Sequence, residues 1–576
     1  LRLDLATIFP AWRWLKRYDS GQFKADFIAA LIVIAILIPQ GMAYAIVAGL
    51  PPITGLYASV LPMMVYACLG GSATLSIGPV ALISMMVYAT LNPLYQIGSP
   101  TYIQAACLLA LLVGLISLLL GIFRFGFLIR LISHPVIKSF IIASALLIAL
   151  SQFKLFLAIP LDIENLAAFL TSFYHYWRFI DLATLALGLS TIALLLGLPQ
   201  LLRHTRFGHI LPNKFLAIVL KLIPLLVIIL IIIITYVFAL PEYGIQVVGE
   251  IPAALPPIAM PFWSWQMLLQ LLPGAFMIAM VSFVESISIA QATAFQNRHQ
   301  LNSNQELIAL GVANISAGIS AAFPVTGSLS RTVVNADAGA KTPLAGFISS
   351  IMMMIASFYL SQYLQLLPLT VLAATIIVSI WKLVDFKPFI DTWRYSKADG
   401  IAMWITFFAV LFIDISTGLI LGIASTFLLM LWRVSRPHIA VIGRVQGTQH
   451  FRNIQRHQVI TTPELISIRI DESLNFLNVH TLKEFIIATV SQHNGLKHVI
   501  INCSSISNID LSALESLEDI NHQLQKLDIA LHFSEVKGPV MDKLQYSTLP
   551  QDLTGQFFLT HYQAVQQLQQ DGSSPP

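Results

Sequence analysis

Charge is what this sequence has least of. Asp, Glu, Lys and Arg together make up 10% of the 576 residues, against about 25% in soluble domains. A chain that is soluble throughout is therefore excluded. The formal net charge of +4 is small and spread along the chain, which argues against a nucleic-acid partner. Cysteine is scarce too. Cys68, Cys107 and Cys503 stand far apart with no CxxC. They indicate neither a disulfide framework nor a zinc site and read as small core residues. There is no Walker A loop, no GxSxG and no HExxH, so neither an enzyme nor a resident cofactor or metal is indicated. His134 and the histidines of the C-terminal region show no ligand spacing and read as structural. Near the N-terminus, Arg13, Lys16 and Arg17 precede an apolar stretch that is too long for a secretory signal and lacks a small-residue cleavage site. The first residue is Leu, which reads as a trimmed chain.

What is present is apolar. The set AVILMFWYC supplies 57% of the residues, and mean hydropathy is +0.78. A spanning helix needs about 20 mostly apolar residues. Strong candidates lie near 27–48, 53–70, 101–121, 135–153, 181–200, 216–240, 268–292, 304–322, 344–366, 369–384, 399–414 and 416–433. Two weaker segments, 75–92 and 325–340, bring the expected count to fourteen. The second of these holds Arg331, Asn335 and Asp337, so hydropathy alone passes over it.

Loop charge tests the count. With the N-terminus inside, the inner loops carry Arg124, Arg130, Arg203, Arg206, Lys214, Arg298, Lys341, Lys382, Lys387, Arg394, Lys397, Arg433 and Arg436, and the outer loops only Lys154 and Arg178. That is a positive-inside pattern. Omitting one weak segment would put Lys382 to Lys397 outside; omitting both would preserve the later parity. Fourteen spans divide into seven and seven, and an odd repeat length inverts the second half. The weak segments are the third of each half. Matched, Gly/Pro-interrupted segments of this kind point to a binding site at the midplane.

Beyond Arg436 the texture changes. Residues 465–470 alternate like a half-buried strand, 477–493 form an amphipathic helical pattern and 498–503 a buried strand. Residues 510–527 read as a helix capped by Asp510, and 529–533 as a third strand. Alternating strands and helices predict a small α/β domain. The expected division is an N-terminal segment 1–26, a membrane domain 27–435, a soluble domain 436–566 and a disordered tail 567–576.

A few polar residues stand out. Glu285 is the only acidic residue in the apolar span 275–294, among Ser282, Ser286, Ser288, Gln291 and Thr293. An intramembrane carboxylate costs a few kcal/mol to insert and is a functional hypothesis by default. It either exchanges a proton as the site fills and empties or pairs with Arg331; a purely structural ion pair is the plainer reading. Arg331 follows Gly327-Ser328-Leu329-Ser330 at the start of the second weak segment. Helix N-termini attract anions, and an Arg adds a full charge and a forked donor set; snorkelling to an interface is the alternative. The first weak segment offers a similar terminus at Ser76-Ile77-Gly78-Pro79-Val80, with Pro79 suited to the first helical position. In the first span Pro39 removes a helix hydrogen bond, and Gln40 and Tyr44 offer polar groups.

These stretches, with Pro39-Gln40-Gly41-Met42-Ala43-Tyr44-Ala45, Gly49 to Ser59, Phe283 to Ser288 and Gly339-Ala340-Lys341-Thr342, resemble the signatures of the sulfate permease (SulP) anion transporter family. The C-terminal region resembles the STAS domain that usually follows the membrane part. The resemblance implies a core domain of spans 1–4 and 8–11 and a gate domain of spans 5–7 and 12–14, moving as an elevator in a homodimer. It implies a small anion such as sulfate held near Gln40, Tyr44, Ser76, Gly78, Pro79, Val80, Ser330 and Arg331. It also implies proton coupling through Glu285, where proton-coupled members keep a Glu, and Ile289, where sodium-coupled members carry a hydroxyl, argues against a sodium site. In the soluble domain, Ser512 matches the serine phosphorylated in bacterial anti-sigma-factor antagonists, with Leu511 in place of a small polar neighbour; a helix-start serine is the plainer reading. A bacterial inner membrane location, both termini cytoplasmic and a cytoplasmic protein partner for the soluble domain complete the expectation. Bicarbonate, dicarboxylate or chloride as substrate, an anion channel, and a nutrient sensor are the alternatives.

Overall fold

Two compact units divide the chain, Leu1–Thr426 and Phe427–Pro576. The structure, a computed structural model, describes residues 10–16, 18–127, 132–162, 165–204, 213–296, 301–381, 383–493 and 495–571. The loop charges Arg17, Arg130, Arg206, Arg298 and Lys382 lie outside the described residues.

Helix occurs in every expected span of the first unit. In chain order these are α1 (Ser20–Val47), α2 (Pro52–Tyr57) with α3 (Leu61–Leu69), α4 (Ala81–Leu91), α5 (Pro100–Ile122), α6 (His134–Leu157), α7 (Leu182–His204) and α8 (Asn213–Val237). The second series is α9 (Trp265–Gln296), α10 (Ser303–Ile319), α11 (Leu329–Asp337), α12 (Leu344–Tyr359), α13 (Leu369–Trp381), α14 (Lys397–Phe412) and α15 (Ile415–Ser435). Among the described residues, eight helices, counting Pro52–Leu69 as one, are long and apolar enough to cross a bilayer. The shorter helices include α4 and α11, the two weak segments.

The first helix starts well before the expected residue 27, because Asp19 caps it: its side chain accepts a hydrogen bond from the Gln22 backbone N–H at 2.7 Å. Asp26 therefore sits inside α1, fully buried. Its carboxylate accepts from the Lys341 and Thr342 backbone N–H groups (2.6 and 3.2 Å) and the Thr342 hydroxyl (2.6 Å). This ties the first helix of one half to the loop that opens α12 in the other.

The helix halves lock together through glycine. Helices α5 and α10 pack along each other. A Cβ on Gly114 would lie 2.5 Å from the Ile315 backbone nitrogen, and one on Gly311 would lie 2.6 Å from that of Leu118. Lipid offers no hydrophobic drive for helix association, so close backbone approach at small residues supplies the attraction. Helix α6 packs against α13 and α14, and α7 against α13 and α8.

In the second unit the sheet order is β4-β3-β5-β6-β7-β8. The strands are β3 (Ile439–Arg444), β4 (Phe451–Asn453), β5 (Leu465–Ile470), β6 (His498–Asn502), β7 (Ala530–Ser534) and β8 (Phe557–Phe558). The pairs β5–β6, β6–β7 and β7–β8 are parallel; β3 runs antiparallel to both β4 and β5. Helices α16 (Val479–Ser491) and α17 (Leu511–Gln525) bury Leu482, Ile486, Leu517 and Ile520 against apolar strand residues such as Ile468, Ile501 and Phe533. Asp510 caps α17 as expected, accepting from the Ala513 N–H at 2.8 Å. A final helix, α18 (His561–Asp571), takes in the first residues expected to be a disordered tail. Its apolar face, Ala564, Val565 and Leu568, is buried with Leu465 and Ile500. Residues 572–576 lie outside the described residues.

Two histidines are buried here, His532 within β7 and His561 at the start of α18. The Nδ1 of His532 accepts from the Gln556 backbone N–H (3.2 Å), and its Nε2 meets His498 Nδ1 (3.2 Å). Burial, and then the neighbouring His498, push the His532 pKa down to about 4; burial does the same to His561.

Two predictions follow from this packing. Replacing Gly311 by Leu drives a side chain into the α5 backbone and is expected to cost about 1–3 kcal/mol by overpacking; a clearly lower melting temperature of the detergent-purified protein checks it. For the histidines, the unfolded chain takes up protons near pH 6.5 that the folded domain refuses until about pH 4. Stability of the second unit should be full above pH 7 and fall as pH drops from 6.5 towards 4. Hydrogen exchange of β6 to β8 amides in the intact protein, corrected for intrinsic rates, should show more frequent opening at pH 5 than at pH 7.

Candidate functional site

The site is organised by the shortest sheet in the molecule. Strand β1 (Ile77–Gly78) pairs antiparallel with β2 (Thr326–Gly327), Ile77 opposite Gly327 and Gly78 opposite Thr326. Each strand leads at once into a short helix, β1 into α4 and β2 into α11. Because the strands run in opposite directions, the two helices start back to back and depart in opposite senses. The pairing extends through the Ser328 N–H, which donates to the Ser76 carbonyl at 2.9 Å.

Side chains secure the irregular backbone on both sides. Ser286 on α9 accepts from the Gly327 N–H (2.9 Å), and its hydroxyl lies 2.8 Å from that of Thr326. Asn314 on α10 grips Val325 with both ends of its amide, accepting from the N–H (2.8 Å) and donating to the carbonyl (3.0 Å). Asn335 donates to the Thr74 carbonyl (2.9 Å), and Thr332 accepts from the Ser76 N–H (3.1 Å). Ser286 and Asn314 thus hold the second break from α9 and α10, while Thr332 and Asn335 of α11 tie it to the first.

A cavity of about 270 Å³ opens beside this crossing. Val80, Ala81 and Leu82 line it from the start of α4, and Ser328, Leu329 and Ser330 from the start of α11. Tyr44, Glu285 and Ser288 complete that wall. The opposite wall is mostly apolar: Ile137, Phe140, Ile141 and Ile148 on α6, Ile380 on α13, and Leu383. Helix α4 has no side-chain cap, so its first N–H groups are open towards an anion.

Arg331 lies behind this wall rather than in it. It is the largest fully buried side chain among the described residues. One Nη donates to Gln40 Oε1 at 3.5 Å, while Nε and the other Nη have no partner. Gly78 is needed here: a Cβ on it would press to 3.3 Å of the Arg331 guanidinium, and its φ of +149° disfavours any side chain. Glu285 contributes one buried oxygen, Oε2, with no hydrogen-bond partner. No ion pair joins it to Arg331 among the described residues, so the pairing alternative is not realised in this conformation.

Of the residues singled out from the sequence, Tyr44, Val80, Ser330 and Glu285 line the cavity. Gln40, Gly78 and Arg331 form the layer behind it, and Ser76 belongs to the strand crossing. Pro79 is not at a first helical position. Val80 keeps an extended backbone (φ −135°, ψ 141°) and caps α4, which places Pro79 outside the helix. Ser512 belongs to the second unit, exposed in the first turn of α17. The apolar wall on α6 and α13 escaped sequence reading, since nothing in a run of Ile and Phe separates a cavity lining from a lipid face.

The chain matches the sulfate permease family over residues 23–406 and the STAS domain over 456–564. It is 36% identical to the chloroplastic sulfate transporter 4.1 of Arabidopsis thaliana, over 97% of this chain and 82% of that one. The chain belongs to the sulfate permease family. It is a multi-pass membrane protein with a STAS domain. A second relative of the family, high affinity sulfate transporter 1 of Stylosanthes hamata, is 31% identical over 98% of this chain and 86% of its own. The fold is that of the murine Slc26a9 anion transporter in its inward-facing state, with a TM-score of 0.89, 23% identity, and coverage of 99% and 95%.

Ser286→Ala tests the scaffold without entering the cavity. It leaves the Gly327 N–H without an acceptor in a buried setting, at a cost of about 1–3 kcal/mol. Hydrogen exchange at residues 325–329 should accelerate by about tenfold or more while that of the STAS strands stays unchanged.

Proposed function

We propose that the protein is a secondary active transporter of small anions, foremost sulfate or a related oxyanion, coupled to protons. One observation carries the reading: two helix N-termini, α4 uncapped and α11 capped by Ser328, border a single cavity with a buried arginine behind them and a carboxylate oxygen without a partner beside them. The helix starts and Arg331 attract a tetrahedral or planar oxyanion. Its charge is offset further when Glu285 carries a proton, so anion and proton enter together and the loaded site is close to neutral. The names of the relatives favour sulfate among the oxyanions.

Movement follows from how the walls differ. Helices α1–α5 and α9–α12 hold the polar wall and the strand crossing as one core. Helices α6–α8 and α13–α15 present a mostly apolar wall, broken by Ser144 and Ser379, against which the core slides, as an elevator. The protein works as a homodimer, and the positive-inside loops put both termini and the STAS domain in the cytoplasm, in a bacterial inner membrane. Phosphorylation of Ser512, at the start of α17, and a cytoplasmic protein partner provide for regulation of the STAS domain.

Proteoliposomes test the reading. Labelled sulfate uptake should rise with an inward proton gradient and not with a sodium gradient. Glu285→Gln should remove the response to the proton gradient while leaving sulfate exchange at equal pH. A coupled response that survives the substitution would exclude Glu285 as the coupling group. Competition by bicarbonate, dicarboxylates and chloride ranks the substrates, and stronger inhibition by any of these than by sulfate itself would displace sulfate.

A further inference from the structure

Acidic residues vanish from one stretch of the chain. Between Asp414 and Glu464 there is none, while Arg433, Arg436, Arg444, Arg452 and Arg456 and three histidines fall there. Every cation in the stretch is arginine rather than lysine, the side chain that best matches the forked oxygens of a phosphate.

The fold gathers part of this stretch into a pocket of the second unit. His438, Arg452, Arg456, His457, Arg469 and Asp471 line a cavity of about 340 Å³ beside the edge strand β4. Asp471 is its only acid, and it is occupied. Arg469 donates to it through Nε (2.7 Å) and Nη2 (3.2 Å), and His438 contacts it at 2.8 Å. Arg452 donates only to the carbonyl of its neighbour Phe451 (3.2 Å). Neither Arg452 nor Arg456 has a carboxylate partner among the described residues. Two arginines thus remain electrostatically open over a pocket whose one acid is already neutralised.

The position of the pocket along the chain says which phosphate. The last spanning helix ends at Ser435, and His438 follows three residues on, a reach of at most about 11 Å. The end of that helix carries Trp432, stacked under Arg436 at 4.0 Å, and a tryptophan with flanking arginines marks the level of lipid headgroups. Clusters of basic residues immediately beyond a spanning helix attract anionic lipid, about 1 kcal/mol per residue.

We propose that this pocket of the STAS domain binds the phosphate of an anionic glycerophospholipid headgroup in the leaflet where the last helix ends. The site goes beyond the transport reading and stands independently of it. The test titrates the detergent-purified full-length protein with short-chain phosphatidylglycerol, phosphatidylcholine, glycerol 3-phosphate and inorganic phosphate. It follows binding by hydrogen exchange at residues 451–457. Phosphatidylglycerol should slow exchange there and phosphatidylcholine should not. The double variant R452Q/R456Q, altered at two exposed positions, should bind phosphatidylglycerol about 25-fold more weakly, about fivefold for each arginine. Equal response to the two lipids, or wild-type affinity in the variant, overturns the site. Glycerol 3-phosphate or inorganic phosphate binding as tightly as phosphatidylglycerol overturns the lipid and leaves a soluble phosphate as ligand.

Discussion

Inside a bilayer an unpaired backbone group has no water to turn to, and each costs several kcal/mol. The pairing of Ile77–Gly78 with Thr326–Gly327 answers that constraint, and the rest of the membrane unit depends on it. By breaking two helices at one place and letting the breaks satisfy each other, the fold creates two helix N-termini deep in the protein. Ser286, Asn314, Thr332 and Asn335 then act as a polar frame for a ribbon only two residues long on each side.

Three carboxylates lie among the helices of this unit, Asp26 and Glu306 fully buried and Glu285 partly so. Asp26 accepts from two backbone N–H groups and two hydroxyls. Glu306 accepts from the Tyr66 hydroxyl (2.6 Å) and the Gly71 N–H (2.7 Å). Both are fully satisfied and hold helix ends in place. Glu285 has an oxygen with no donor at all, and it alone of the three faces the cavity. Buried polar groups in native proteins are almost always paired; of these three carboxylates, only the one facing the cavity departs from that rule.

Much of this was legible in the sequence. Hydropathy located the strong apolar segments, each of which holds helix, and loop charge argued for the two weak ones in company. The strand and helix pattern of the STAS domain was read to within a few residues at β5, α16, β6, α17 and β7. The misses share a cause: they depend on long-range partners. Helix α1 begins early because Asp19 caps it and because Asp26 finds its donors at Lys341 and Thr342, more than 300 residues away. The strands β4 and β8 are short, and only their neighbours in the sheet define them; β3, as long as β5, was passed over. The polar half of the site was visible because polar residues are rare in such spans. Its apolar half was not, because Ile and Phe on α6 look the same whether they face lipid, protein or a cavity. The tail read as disordered from its final residues, yet α18 extends to Asp571 because Val565 and Leu568 find a hydrophobic seat on the sheet.

The strand crossing also sets a timetable. Ile77 and Gly327 are separated by about 250 residues, which a ribosome adding 5–20 residues per second needs roughly 12–50 s to deliver. For that interval the nascent first half has left the ribosome with Ser76 to Gly78 lacking the backbone partners they hold in the finished protein. Either the insertion machinery shelters that segment or it waits outside the hydrocarbon until its counterpart arrives. The strand crossing therefore waits on synthesis of the second half, and a chain truncated before Thr326 lacks the strand that pairs with Ile77–Gly78.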